Sequence, residues 1–207
     1  MKRCVILGGA EIGNYEAIRE YLRDGDFIIC CDRGLIHAEP LSLTPDLIVG
    51  DFDSHEKPDL PVETIVLPRE KDDTDTVFAV REALRRGFQE FLFLGAAGER
   101  LDHTLGNLSL LLMLHAEGKK ALLLDDYSEI SVVGKEGATV SDRFSYFSLL
   151  CVTEPAGLVT IRNAKYPLNG ATISYDYPIG VSNEVLSGKT AEIAVGSGRL
   201  LLIKIRG

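Results

Sequence analysis

Leu47-Ile48-Val49-Gly50-Asp51-Phe52-Asp53-Ser54 joins an unbroken apolar run to two acids spaced two residues apart. A short run without polar alternation predicts a strand buried on both faces. In extended backbone, residues i and i+2 share a side, so Asp51 and Asp53 are expected to face one point and Phe52 to face away. Like charges that close repel unless a cation lies between them or one takes a proton. A hard divalent ion fits, since Mg²⁺ takes one or two carboxylates together with substrate phosphates. Asp and Gly are also common turn residues, so an isolated pair of this kind reads first as a solvated turn. The acidic motifs downstream change that reading.

Working outward, five more apolar runs end in polar motifs or turns. Cys4–Leu7 ends at Gly8-Gly9-Ala10, and Phe27–Cys31 ends at Asp32-Arg33-Gly34. Thr64–Leu67 leads into Lys71-Asp72-Asp73-Thr74-Asp75-Thr76, Phe91–Leu94 into Gly95-Ala96-Ala97-Gly98, and Ala121–Leu124 follows. Helical spacing predicts helices over 14–24, closed by Gly25, over 75–86, stopped by Gly87, and over 103–117, before Gly118. Short unalternating strands separated by helices indicate a mostly parallel sheet covered on both faces, a three-layer α/β/α domain. Ligands of such folds bind beyond the carboxyl ends of the strands. Asp32, Asp51, Asp53, Asp75 and Asp102 are therefore expected along one sheet edge.

Beyond about Asp126 the helical periodicity stops. Strand-like runs at 130–133, 146–152, 158–161, 171–175, 191–195 and 200–205, divided by Gly, Pro and Asn, predict an all-β sandwich or barrel, of which the sandwich is the expectation carried forward. The expected organisation is an α/β domain over 1–126 and a β-sandwich domain over 127–207.

The 207 residues carry a formal charge of −9, which lacks the basic footprint of a nucleic-acid binder. No polybasic run suits an anionic membrane, and no apolar run approaches the roughly 18 residues that span a bilayer. Met1-Lys2-Arg3 leads straight into a strand, too short for a signal peptide. A soluble cytoplasmic protein is expected. The cysteines at 4, 30, 31 and 151 form no Cys-x-x-Cys pair and read as buried, inert thiols.

Lys71-Asp72-Asp73-Thr74-Asp75-Thr76 places three carboxylates before a helix. A helix cap with favourable dipole charges explains one or two of them. Asp75 can complete the metal site begun by Asp51 and Asp53, while Lys71 and the helix N-terminus hold phosphate. In Gly98-Glu99-Arg100-Leu101-Asp102-His103, Arg100 suits phosphate oxygens. Asp102 reads either as an N-cap or as an acid on the metal or near the nucleophile; His103 reads as a first-turn residue beside the substrate. Gly8-Gly9 with Gly13 is a weak phosphate-loop signal. Ser187-Gly188-Lys189-Thr190 lacks the glycine a P-loop needs at 183, which is Asn183, and lies in β-rich sequence. The glycines around Ser197 read as a hairpin turn.

Gly50-Asp-Phe-Asp-Ser54, Lys71-Asp-Asp-Thr-Asp-Thr76, Gly98-Glu-Arg-Leu-Asp-His103 and Val181-Ser-Asn-Glu184, with Pro45-Asp46 and Ala164-Lys-Tyr-Pro-Leu168, resemble bacterial thiamine pyrophosphokinase over most of the chain. The resemblance implies a homodimeric enzyme that moves a pyrophosphoryl group from ATP to the hydroxyl of thiamine, giving thiamine diphosphate and AMP. It implies Mg²⁺ on Asp51, Asp53 and Asp75, and catalysis by Asp102, Asp75 and Arg100. Gly9, Asp32, Gly34, Lys71, Thr74 and Arg100 are the candidate nucleotide contacts. Asp102, His103, Ser182 and Asn183 are the candidate thiamine contacts, the last two reaching in from the partner subunit. Animal members in particular place a tryptophan near that turn, and this chain has none. Glu99 stands where many relatives carry glycine. Direct in-line attack on the β-phosphorus is the expected route. A thiamine- or nucleotide-binding regulator without turnover, and a metal-dependent phosphotransferase acting on another heterocyclic alcohol, are the alternatives.

Overall fold

The computed structural model describes residues 3–52, 60–68, 70 and 72–207. The chain divides into two compact units between Asp126 and Tyr127.

The first unit is α/β. Its strands are β1 (Arg3–Leu7), β2 (Phe27–Cys31), β3 (Leu47–Gly50), β4 (Glu63–Val66), β5 (Glu90–Leu94) and β6 (Lys120–Leu124). They lie in the order β4-β3-β2-β1-β5-β6, all parallel. The chain builds leftward from β1 to β4, then returns to the other side of β1. That reversal places a switch point between β1 and β5, where open α/β sheets hold ligands. Side chains alternate across each strand. Val5, Leu7, Ile28, Cys30, Ile48, Leu92 and Leu94 cluster with Ile18 of helix α1 (Tyr15–Arg19) and with Ala38 and Leu41 after a 3₁₀ helix over Asp32–His37. Residues such as Cys4, Ile6, Ile29 and Cys31 alternate with that set, toward helices α2 (Asp75–Arg85) and α3 (Leu101–Ala116).

Helix α1 ends at Arg19, well short of the predicted 24. Arg3 and Asp26 form a buried ion pair at 2.6 Å. Arg3 also takes the Tyr21 carbonyl at 2.7 Å, and Asp26 takes the Arg23 N–H at 2.9 Å. These groups would otherwise continue the helix. The 3₁₀ helix carried no periodic signal, being too short for one.

The second unit is a β-sandwich. One sheet has the antiparallel order β7-β13-β9, from Ser128–Val133, Leu200–Arg206 and Phe144–Leu150. The other has the order β11-β10-β12-β8, from Leu168–Ile173, Ala156–Arg162, Thr190–Ala194 and Ala138–Ser141. Val133, Phe147, Leu149, Leu200 and Leu202 from the first sheet share a core with Val140, Val159, Ile161, Ile173 and Ile193 from the second. Strand β8 had not been expected. The turn at Ser197 is not a hairpin: β12 and β13 belong to different sheets of the sandwich, and Gly157 binds Ser197 from β10 through mutual backbone bonds of 3.0 and 3.1 Å. Ser187–Thr190 leads into β12, with the Gly188 N–H on Asp142 at 2.8 Å, which rules out a phosphate loop there. All four cysteines are free and buried, and burial pushes the Cys30 thiol up to about 12.

Candidate active site

A cleft of about 600 Å³ opens at the carboxyl ends of the parallel strands. Four strand ends supply it, with Gly8–Glu11 after β1, Cys31–Arg33 at the end of β2, Asp51 after β3, and Gly95, Ala96 and Gly98–Arg100 after β5; Thr74–Thr76 at the start of α2 and His103, Thr104 and Asn107 of α3 complete it.

The floor depends on close backbone approach. A Cβ on Gly8 would sit 2.5 Å from the Gly95 carbonyl oxygen, and one on Gly95 would sit 2.5 Å from that of Gly8. The two turns are tied by Gly8 N–H to Leu94 O at 2.8 Å and Ala10 N–H to Gly95 O at 2.9 Å. His37, only 1% exposed, holds the first turn from behind through Nε2 to the Ala10 carbonyl at 2.9 Å.

One wall is acidic. Cys31 pairs with Val49 in register, so Asp32 stands beside Gly50. A Cβ on Gly50 would lie 3.1 Å from Asp32 Oδ1, so glycine there admits the carboxylate next to Asp51. Asp75 begins α2, and its charge, after burial, is the next largest cause of the raised Cys31 thiol. Asp32, Asp51 and Asp75 therefore line one cleft. Asp53 and Lys71 lie outside the described residues. Among the described residues, no three His, Cys, Asp or Glu groups come together closely enough to hold a metal ion by themselves. Two carboxylates plus substrate phosphates is nonetheless the donor set that Mg²⁺ accepts, and Asp51 and Asp75 supply hard oxygen donors of that kind.

Phe52 holds φ at +49°, a left-handed turn, so the backbone between the paired aspartates is not extended. This corrects the simple alternation argument. Phe52 is partly buried and packs against the apolar core of the first unit. Asp32 (φ +42°) also adopts this unfavourable conformation, as does Ser182 (φ +56°) in the second unit. Such strain persists where surrounding structure enforces it, and it concentrates at functional sites.

The acidic hexapeptide separates in space. Thr74 caps α2, accepting the Val77 N–H at 3.3 Å, and lines the cleft as well. Asp73 pairs with Arg81, and Asp72 is exposed. Only Asp75 of the three acids enters the cleft lining.

The lining also carries Arg33, Arg100 and His103, together with Glu11 and Glu99. Arg100 is the N-cap residue of α3, so Asp102 lies within the first turn and is not the cap. Arg100 grips Asp102 with two bonds of 3.0 and 2.7 Å, which hold the Asp102 carboxyl well below the usual carboxylate range. Asp102 does not line the cleft; it is exposed beside it. Gly34 does not line it either. It is buried, with a hypothetical Cβ only 2.0 Å from the Leu7 carbonyl oxygen, so its role is to let β1 and the 3₁₀ helix meet.

Both Ser182 and Asn183 lie in the second unit. The Ser182 N–H donates to Ser148 Oγ at 3.0 Å, and Asn183 exchanges backbone bonds of 2.8 and 2.9 Å with Phe147. Asn183 is 3% exposed. Its Oδ1 accepts from Tyr166 N–H at 3.0 Å and Glu184 N–H at 2.9 Å, and its Nδ2 donates to the Tyr166 carbonyl at 2.8 Å. The side chain thus staples 164–168 to 182–185, and Ser182 is what the staple presents. Residues the sequence reading did not single out, namely Glu11, Arg33, Thr76, Thr104 and Asn107, also line the cleft. The i, i+3 spacing of Thr104 and Asn107 on α3 was the available signal.

Two family models match the chain: the thiamin pyrophosphokinase catalytic domain over residues 18–123 and the thiamin pyrophosphokinase vitamin B1 binding domain over residues 135–200. The chain belongs to the thiamin pyrophosphokinase family. A thiamine pyrophosphokinase from Bacillus subtilis (strain 168) is 26% identical over 99% of both chains. The crystal structure of thiamine pyrophosphokinase from Bacillus subtilis superposes with a TM-score of 0.86 at 25% identity, covering 99% of each chain. That of thiamin pyrophosphokinase from Geobacillus thermodenitrificans gives 0.82 at 27% identity, over 100% of this chain and 98% of its own. The cleft of this thiamin pyrophosphokinase family member carries both acidic and basic side chains.

Proposed function

We propose that the chain is a thiamine diphosphokinase, which joins the hydroxyl oxygen of thiamine to the β-phosphorus of ATP and releases AMP and a proton. The observation that carries this reading is the meeting of Asp32 and Asp51, which follow β2 and β3, with Asp75 at the start of α2, in one cleft with Arg33 and Arg100, in a chain that matches both domains of the family.

Asp51 and Asp75, with Asp53, would hold Mg²⁺. When bound, the ion neutralises triphosphate charge and stabilises the AMP leaving group. Phosphoryl-type transfer asks mainly for positioning and charge balance. Arg100 exchanges its Asp102 partner for phosphate oxygens, and Asp102 then orients the alcohol and receives its proton late in the transfer. The glycine turns at 8–10 and 95–98, with Thr74 and Lys71, cradle the phosphates; His103 faces the same space. The transfer is in-line and direct, with no covalent enzyme intermediate. Residues 1–126 form the catalytic unit, and 127–207 bind thiamine through Ser182 and form the contacts of a cytoplasmic homodimer whose site is shared between subunits.

Incubation of the purified chain with thiamine, ATP and Mg²⁺ tests this, with thiamine diphosphate and AMP expected in equal amounts. ADP in place of AMP would overturn pyrophosphoryl transfer. Binding of both substrates without turnover would make the chain a regulator, and turnover with a different heterocyclic alcohol alone would reassign the substrate. Labelled phosphate retained on the protein during turnover would exclude the direct route.

A further inference from the structure

We propose that Thr104 and Asn107 are positioning residues for the reaction, holding the Gly95–Gly98 loop in the shape that receives the nucleotide's phosphates. The inference rests on the kinase reading above. Both residues lie on α3, three positions apart, and so on one helix face. Thr104 Oγ1 accepts the Gly98 N–H at 3.1 Å and donates to the Gly98 carbonyl at 3.3 Å. A hydroxyl can serve both roles at once. Asn107, 8% exposed, donates from Nδ2 to the Ala96 carbonyl at 2.7 Å. A carbonyl only accepts, so this bond fixes which end of the amide faces the loop.

The loop is thereby held on two sides. Backbone bonds from the Gly8–Ala10 turn fix its start, and the two α3 side chains fix its middle and end. Gly95 sits at φ +59°, and because glycine populates positive and negative φ about equally, neighbours must select that conformation. Both side chains also line the cleft, beside Arg100. A slack loop would misplace phosphate-binding groups while leaving the fold and the thiamine contacts intact.

The test compares Thr104→Val, which keeps the shape and loses the hydroxyl, with Thr104→Ser, which restores it, and Asn107→Asp, which sets an acceptor against the Ala96 carbonyl. Thr104→Val and Asn107→Asp are each expected to raise KM for ATP about five- to tenfold, the size of one lost hydrogen bond, with KM for thiamine unchanged. Thr104→Ser should recover the wild-type KM. Calorimetric affinity for a non-hydrolysable ATP analogue, measured without thiamine, should fall by the same factor in Thr104→Val. Unchanged analogue affinity in Thr104→Val overturns the proposal. So does a parallel rise in both KM values, or a Thr104→Ser variant as impaired as Thr104→Val. Thr104 is only half-buried, so its variants keep the test usable should Asn107→Asp not fold. Because the binding measurement needs no turnover, it judges the brace even where the wild-type chain fails to make thiamine diphosphate.

Discussion

The Tyr15 hydroxyl donates to His37 Nδ1 across 2.8 Å, and the same imidazole reaches the Ala10 carbonyl with Nε2. Because that carbonyl only accepts, Nε2 carries the hydrogen and Nδ1 is free to take the tyrosine's. The pairing needs a neutral ring. Burial, opposed by the Ala10 bond and aided by Arg33, holds the His37 pKa below its ordinary value of 6.5. A folded-state pKa lowered in this way contributes stability that is present above 6.5 and lost as pH falls below it. The wild-type unfolding midpoint should therefore drop on acidification. His37→Phe should be less stable at neutral pH by about 1–3 kcal/mol, having left two polar groups unpaired, and less sensitive to acid. A midpoint-against-pH series on both proteins checks this.

Asp51, after β3, and Asp75, at the start of α2, both line the cleft. Asp51→Asn or Asp75→Asn should cost about a hundredfold or more in turnover by removing a carboxylate from the metal, with the unfolding midpoint near that of wild type. Asp53→Asn should behave alike. The measurement is AMP release at ordinary and raised Mg²⁺; near-normal rates at ordinary Mg²⁺ in any of the three would remove that acid from the metal site.

Gly34 offers a packing test. Its hypothetical Cβ lies 2.0 Å from a backbone oxygen, which no rotamer change relieves. Gly34→Ala should cost about 3 kcal/mol or more by overpacking, read as lost soluble yield or a lowered denaturation midpoint. Gly87→Ala is strained through its φ of +87° but meets nothing within 4 Å, so it should be milder.

Asn183 and Ser182 should separate under mutation. Asn183→Ala strands the Tyr166 and Glu184 N–H groups and should cost about 2–4 kcal/mol. Ser182→Ala should leave stability intact and raise KM for thiamine. Equal stability losses in chemical denaturation would deny the division between staple and contact.

Glu82 is held by Arg85 and Arg86, and its carboxyl is drawn down to about 2 from 4.5. That stabilisation is present above pH 4.5 and fades as pH falls toward 2. Glu82→Gln should be clearly less stable than wild type at neutral pH and nearly equal to it at about pH 2, by parallel thermal melts.

The mostly parallel sheet and the shared edge were legible because they depend on local pattern, whereas the strand order was not read from the sequence. Unalternating apolar runs of four or five residues, bounded by glycines and polar motifs, read as buried strands, and the polar motifs that follow them then fall at the carboxyl edge. Helix α2 was legible to within a residue for the same reason. Helix α1 was not, because the Arg3–Asp26 pair that stops it joins residues distant in sequence.

By itself the sequence determined the α/β and β-sandwich classes, the candidate acids and the family, since each rests on residue type and short spacing. Only the tertiary structure decided which acids share the cleft. Asp73 goes to Arg81, Asp102 holds Arg100, and Asp32 and Asp75 turn inward with Asp51. It alone turned Phe52 left-handed into the core and buried the Asn183 amide. The reason is that spacing sets the side from which a residue departs, whereas its partner is set by competition among groups that meet only when distant elements pack.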